Sequence, residues 1–87
     1  MISKVITITN NTGLHARPAS VFVSTASKFK SELFIKKEEK KVNAKSILAV
    51  LALGISKGTE ITLTAEGPDE EEAVAAILAL AEANFNE

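Results

Sequence analysis

The sequence has no cysteine, tryptophan or tyrosine, and its 87 residues include a single histidine, a single arginine and two prolines. Without cysteine the chain can form neither a disulfide nor a thiolate metal site, which agrees with a reducing compartment. No apolar run approaches the roughly 18 residues of a membrane-spanning helix, and the first residues alternate between apolar and polar side chains. We therefore expect neither a signal peptide nor insertion into a membrane, and we expect a cytoplasmic protein.

Charged residues are unevenly distributed, although they sum to a net charge of −1. Residues 28–45 carry seven lysines against three glutamates, whereas residues 60–87 hold eight carboxylates and no basic residue. A basic stretch can indicate nucleic-acid binding, but only Phe29 and Phe34 lie near these lysines as stacking groups. A solvated strand surface explains the lysines better, so we expect no nucleic-acid partner. The acidic run Asp69–Glu72 predicts helix capping and no metal site, because consecutive carboxylates point around a helix.

Hydrophobic periodicity predicts an α+β protein with the element order β-α-β-β-α-β-α, in one domain over residues 1–87. The predicted strands are Ile2–Thr9, Glu32–Lys37, Lys40–Asn43 and Glu60–Ala65. The first two predicted helices span about Ala16–Lys28 and Ile47–Leu53. The last predicted helix is capped by Asp69, with Glu72 at the capping-box position. Its buried stripe consists of Val74, Ile77, Leu78, Ala81 and Phe85. Such a strand-helix-strand unit, with a later strand inserted between its members, is the split βαβ arrangement.

The type of the middle element does not follow from periodicity alone, because a seven-residue apolar run fits a strand or a helix. Ser46 at the N-cap position and Gly54 after the run favour a helix of about two turns. A helix that is apolar on every side is either covered on several sides or exposes a patch on which a partner docks.

The stretch Asn10–Ala19 contains the histidine and the arginine, and it lies where a predicted strand gives way to a predicted helix. Its Asn-Asn-Thr-Gly sequence predicts a turn at Gly13, and its proline suits a first helical turn, which puts His15 or Ala16 at the N-cap. A helix N-terminus binds anions, and the forked donors of Arg17 match phosphate geometry. The same positive charges favour a neutral, nucleophilic imidazole. These residues suggest a phosphoryl-accepting histidine; the alternative is a surface or capping histidine without chemistry.

Two motifs resemble those of a known family. Gly13–Ala19, with the sequence Gly-Leu-His-Ala-Arg-Pro-Ala, resembles the phosphorylation-site motif of HPr, the histidine-containing phosphocarrier of the bacterial phosphoenolpyruvate-dependent sugar phosphotransferase system. Val42–Leu48, followed by Leu53–Gly58, resembles the family's regulatory-serine segment. The resemblance covers essentially the whole chain. It implies an open-faced β-sandwich, in which a four-stranded antiparallel sheet in the order 1-4-2-3 carries three helices on one face.

The resemblance also implies a function. His15 would accept a phosphoryl group from Enzyme I and pass it to sugar-specific Enzyme IIA components, so the protein would be a carrier and a substrate, not an enzyme, and would need no cofactor. Arg17 would pair with the phosphate, which the backbone N–H groups of Ala16 and Arg17 would help to hold. Ser46 matches the serine that HPr kinase/phosphorylase modifies. In the family, phosphorylation of this serine hinders uptake of phosphate from Enzyme I and favours binding to catabolite control protein A.

Partners would dock on a modest surface of small and apolar side chains beside the histidine, with Val50 and Leu53 turned inward. The implied docking residues are Thr12, Ser20, Ser24, Ile47, Leu48 and Leu51. We expect the carrier to be a monomer. The alternative is an HPr-like regulatory protein that acts mainly through phosphorylation of Ser46 and a transcription-factor partner. Such a protein would lack the phosphoryl-accepting histidine, so His15 argues against it.

Overall fold

The computed structural model describes residues 1–86 and has the predicted element order, followed by a short 3-10 turn. The strands are β1 Ile2–Thr7, β2 Glu32–Lys37, β3 Lys40–Asn43 and β4 Glu60–Glu66. The helices are α1 Ala16–Ala26, α2 Ile47–Ala52 and α3 Glu70–Glu82, and the 3-10 turn is Asn84–Asn86. All seven predicted elements are present, although β1 ends two residues before the predicted Thr9 and α1 ends two residues before the predicted Lys28. None of the helices in the described part of the chain is both long and apolar enough to span a membrane.

The four strands form one antiparallel sheet in the order β1-β4-β2-β3, which confirms the predicted order. Ile6 of β1 lies opposite Ile61 of β4, and Leu63 of β4 lies opposite Ile35 of β2. Because side chains alternate between the two faces of a sheet, these four buried residues share one face. β1 and β3 are the edge strands.

The helices cover this apolar face, which confirms the open-faced sandwich. α3 contacts β1 and β4, α2 contacts β3, and α1 packs against both of the other helices. The largest fully buried side chains between the layers include Ile8, Phe22, Leu33, Ile35, Ile55, Leu63, Ile77 and Phe85. Phe22 and Phe85 meet edge to face, with ring centroids 6.2 Å apart. Residues of the opposite sheet face are exposed or partly exposed, and Val5 has 65% of its surface exposed.

Phe85 is buried as predicted, but its place in α3 is wrong. The helix ends at Glu82, and the chain then turns through positive φ angles of 54° at both Asn84 and Phe85. This turn, and not a continued helix, brings the Phe85 ring into the core. The burial of Phe85 was therefore predicted correctly, whereas its secondary structure was not.

Asp69 occupies the predicted N-cap of α3, but the capping bond and the capping box with Glu72 are wrong. The Asp69 carboxylate makes no capping bond and instead accepts hydrogen bonds from the Ser31 hydroxyl and from the N–H groups of Lys30 and Ser31, both at 2.9 Å. These donors, with the Ser31 hydroxyl first, lower the pKa of the Asp69 carboxyl to about 2. The ionised carboxylate therefore ties the β4–α3 connection to the α1–β2 connection.

Glu70 takes over part of the expected capping role. Its Oε1 accepts the N–H of Gly67, three residues before the helix begins, at 3.2 Å. Its Oε2 lies 2.9 Å from the Met1 ammonium, and the hydrogen bond with that ammonium lowers the pKa of the Glu70 carboxyl. The first acidic residue of α3 thus fixes both the turn that precedes the helix and the start of β1.

Candidate functional site

The loop between β1 and α1 forms the predicted turn and ends at His15. The Gly13 N–H donates to the Asn10 carbonyl at 3.1 Å, and Gly13 has a φ of 64°. Asn10 is buried, and its side-chain Nδ2 donates to the Gly13 carbonyl at 2.7 Å. The turn is therefore closed by the backbone and held from inside by a side-chain amide.

This turn is braced by the segment that joins α2 to β4. The Leu14 N–H donates to the Ile55 carbonyl at 3.0 Å, and the Gly58 N–H donates to the Ile8 carbonyl at 2.7 Å. On the surface, Lys57 Nζ donates to Asn11 Oδ1 at 3.2 Å. The position of the loop before His15 is therefore set by a segment more than forty residues further along the sequence.

Gly13 makes the closest approach in this brace. A Cβ atom at this position would lie 2.4 Å from the Ile55 carbonyl oxygen and 2.6 Å from the Ser56 Cα. Any side chain would also have to adopt the left-handed conformation, which L residues other than glycine rarely do. The glycine of the motif thus serves the contact as well as the turn, and no local sequence signal indicated the contact.

His15 is the N-cap of α1, which settles the choice between His15 and Ala16. Its backbone is extended, its side chain is exposed and makes no capping hydrogen bond, and its carbonyl accepts the Ala19 N–H at 2.7 Å. Pro18 has no N–H group. Ala16 and Arg17 therefore carry the helical N–H groups that are left without an intrahelical acceptor, beside an unobstructed imidazole.

Arg17 is exposed in the first turn, and its guanidinium makes no hydrogen bond or ion pair with residues of the described part of the chain. Residues 1–31 and 40–59 contain no aspartate or glutamate. The turn, α1, α2 and the bracing segment all lie in these two ranges. An anion bound at this helix end would thus face Arg17 and the positive end of the helix dipole, with no carboxylate from these segments to repel it.

Ser46 is the N-cap of α2, as predicted, and its Oγ accepts the Ala49 N–H at 3.3 Å. Gly54 follows the helix with a φ of 64°. Val50 and Leu53 are buried, as predicted, and the exposed large apolar side chains of this helix are Ile47, Leu48 and Leu51, with 36%, 78% and 39% of their surface exposed. We call these three residues the apolar patch.

The remaining predicted docking residues lie on the turn and on α1. Thr12 is exposed in the turn, and Ser20 and Ser24 are exposed on α1, which packs against α2. The two helices therefore bring the small polar residues of one and the apolar patch of the other onto neighbouring elements. Within residues 1–86, no three histidine, aspartate or glutamate side chains come together in a group that could hold a metal ion.

Comparison with known proteins identifies the family. The family model described as "PTS HPr component phosphorylation site" matches residues 2–83. The chain belongs to the HPr family. Members of the HPr family are phosphocarrier proteins and not enzymes in the ordinary sense.

Relatives and solved structures agree with this assignment. The HPr-like protein Crh of Halalkalibacterium halodurans is 50% identical over 82 residues, which cover 94% of this chain and 98% of that protein. The crystal structure of HPr-C-His from Thermoanaerobacter tengcongensis matches with a TM-score of 0.97 and 54% identity, over 100% of this chain and 98% of that one. Crystalline Crh of Bacillus subtilis, described as a dimer with a swapped domain, matches with a TM-score of 0.75 and 45% identity over 94% of each chain. The HPr fold expected from the motifs is confirmed.

Proposed function

We propose that this HPr-family protein accepts a phosphoryl group from Enzyme I on His15 and passes it to sugar-specific Enzyme IIA components. The observation that carries the proposal is the position of His15, which is exposed at the N-cap of α1 beside two N–H groups without an intrahelical acceptor and beside a guanidinium that has no ion-pair partner among residues 1–86. The helix end is positive before transfer and can hold the added negative charge after it. A surface histidine that takes part in no reaction would need neither the N–H groups nor the guanidinium beside it.

In the proposed transfer, a ring nitrogen of His15, for which we propose Nδ1, attacks the phosphorus atom as the bond to the donor breaks. The backbone N–H groups of Ala16 and Arg17 and the Arg17 guanidinium then bind the phosphoryl oxygens. Transfer to an Enzyme IIA component reverses these steps on a second partner. The protein is thus a substrate of its partners at each stage, and it takes part without a cofactor or metal.

Donor and acceptor must use the same surface in turn. We propose that both dock on the apolar patch and on the exposed hydroxyl side chains beside it, Thr12, Ser20 and Ser24. The absence of carboxylates in the surrounding segments fits partners whose docking surfaces are acidic at the rim. One chain supplies all of these residues, so we propose a monomer in the cytoplasm as the working form; the swapped dimer described for Crh of Bacillus subtilis is the alternative assembly.

A phosphorylation assay tests the proposal. The protein is incubated with phosphoenolpyruvate and a competent Enzyme I, and its intact mass is measured with time. We expect a single added phosphate that is lost in acid and retained in alkali, as is typical of a phosphohistidine, and that maps to the peptide containing His15. If Enzyme I phosphorylates a reference carrier but adds nothing to this protein, the assignment is wrong.

We propose regulation at Ser46 by HPr kinase/phosphorylase and ATP. A phosphate there adds about −1.5 to −2 charges. The helix N-terminus tolerates this charge, but it lies immediately before Ile47 and Leu48 of the apolar patch. An acidic partner surface would be repelled, which would hinder uptake of phosphate from Enzyme I, and a partner that recognises phosphoserine, such as catabolite control protein A, would gain a contact.

We expect Ser46→Asp to lower kcat/KM for phosphorylation by Enzyme I about five- to tenfold. The added negative charge would repel an acidic docking surface, and dissolved salt screens this repulsion only in part. The matched control is Ser3→Asp, which adds the same charge on β1, where Ser3 contacts Thr64. Stopped-flow or quenched-flow assays at low and high salt measure both variants. Equal rates for Ser46→Asp and the parent would remove the regulatory proposal.

The second candidate is the HPr-like regulatory protein, and the 50% identity to Crh of Halalkalibacterium halodurans favours it. Such a protein would act mainly through phosphorylated Ser46 and a transcription-factor partner. The two candidates differ in their chemistry: the regulatory protein acquires an acid-stable phosphate from the kinase and ATP but no acid-labile phosphate from Enzyme I. The presence of His15 with its free helix end supports the carrier.

A further inference from the structure

The helix that carries the apolar patch is too short to hold itself in place. α2 has six residues, whereas isolated helices need about 12 to 15 residues to be even marginally stable. Its position therefore depends on its anchors. Ser46 bonds its N-terminal end, and Val50 and Leu53 are buried beneath it.

The third anchor is Lys37, at the end of β2. Its Nζ donates to the carbonyls of Leu53 and Gly54, each at 3.0 Å. Carbonyls at the end of a helix have no intrahelical partner, and a cation beside them also interacts favourably with the negative end of the dipole. Lys37 thus closes the C-terminal end of α2 from a neighbouring element.

The same contact reaches the phosphoryl acceptor. Directly after Gly54, the Ile55 carbonyl accepts the Leu14 N–H at 3.0 Å and lies against Gly13. Lys37 therefore holds the junction between the docking helix on one side and the segment that braces the His15 loop on the other. No other side chain of the described residues hydrogen-bonds to these two carbonyls.

We propose that Lys37 is a positioning residue for phosphoryl transfer. By holding the two carbonyls that directly follow α2, it sets the apolar patch in register with His15, so that a docked partner meets the imidazole. The proposal rests on the proposed function, because the register has meaning only for a protein that docks and transfers. Lys37 itself contacts no phosphoryl group.

The decisive variant is Lys37→Met, which removes both hydrogen bonds but keeps a long, unbranched side chain. We expect the KM of the protein as a substrate of Enzyme I to rise about three- to tenfold, the scale of one or two lost hydrogen bonds, with kcat unchanged within about twofold. The chemistry at His15 and Arg17 is untouched, so the effect falls on docking. Lys37→Arg retains donors and should restore KM to within about twofold of the parent.

The matched control is Lys36→Met. Lys36 is the exposed neighbour of Lys37 on the opposite sheet face, across from Lys41 and Thr62. Both variants remove one positive charge. If Lys37 acted only through long-range attraction to an acidic partner, the two variants would raise KM equally, and that result would overturn the proposal.

Amide hydrogen exchange gives a readout that needs no phosphoryl transfer. In Lys37→Met we expect about three- to tenfold faster exchange at the backbone amides of Val50, Leu53 and Gly54, and unchanged exchange in β1 and β4. Unchanged exchange in α2, or faster exchange with an unchanged KM, would overturn the role of Lys37. If the parent protein accepts no phosphate at all, the proposed function fails, and the exchange data still decide whether Lys37 anchors α2.

Discussion

The His15→Ala variant is expected to accept no phosphoryl group from Enzyme I, while its free energy of unfolding stays within about 0.5 kcal/mol of the parent value. The imidazole is exposed and makes no capping hydrogen bond, and the bond from the Ala19 N–H to the residue 15 carbonyl belongs to the backbone. Alanine therefore removes the proposed nucleophile and leaves the helix end in place. Loss of transfer without loss of stability separates a chemical role from a structural one.

Two measurements on the same sample check this result. Intact-mass analysis after incubation with Enzyme I and phosphoenolpyruvate should show no added phosphate, and urea unfolding should give a midpoint and slope like those of the parent. An acid-labile phosphate on the variant would place the acceptor elsewhere and contradict the proposal. A large loss of stability would show instead that His15 holds the N-terminus of α1.

Gly13→Ala is expected to lower the free energy of unfolding by about 2 to 4 kcal/mol. This loss is the sum of two costs, that of alanine in the left-handed backbone conformation and that of the steric overlap of its Cβ atom. The added Cβ would lie 2.4 Å from the Ile55 carbonyl oxygen, so the turn or the bracing segment must move. Because the turn leads directly into His15, we also expect kcat/KM for phosphoryl acceptance to fall about tenfold or more.

Gly54→Ala is the matched control for this prediction. Gly54 has the same φ of 64°, but a Cβ atom there would meet nothing within 4 Å. Its cost is therefore that of the backbone conformation alone, about 1 to 2 kcal/mol. The difference between the two variants in thermal or urea unfolding isolates the contact with Ile55. Equal losses of stability would show that the brace yields freely and does not position the loop.

The parts of the fold that could be predicted from the sequence are those with local signals. The alternation of Glu60–Ala65 specified a strand and its buried face, and Ser46 with Gly54 marked both ends of α2 within one residue. The contacts that could not be predicted join residues far apart in the chain. Asp69 has every local feature of a capping residue, yet its carboxylate bonds to Ser31, 38 residues earlier, because the fold places two N–H groups and a hydroxyl there.

The candidate site also has features that local sequence signals predict and contacts that only the tertiary fold reveals. The positions of His15 at a helix N-cap and of Arg17 in the first turn could be predicted, because the signals for them, Gly13 and Pro18, lie within three residues of His15 in the sequence. The brace between Gly13 and Ile55 and the hydrogen bonds of Lys37 require the tertiary fold. The two ranges without carboxylates are visible in the sequence, but only the packing of α1 against α2 shows that they surround a common site.

The exposed helix end on which His15 lies has a consequence for the phosphorylated form. An exposed side chain is enclosed only while a partner covers it, so under the proposed function the P–N bond is in contact with water between one partner and the next. Hydrolysis then competes with delivery, and the lifetime of the intermediate is set by the imidazole–phosphorus bond and not by a protein cavity. The amount of phosphorylated protein would therefore follow the current rates of phosphorylation by the donor and of transfer to the acceptor, and would not persist after these rates change.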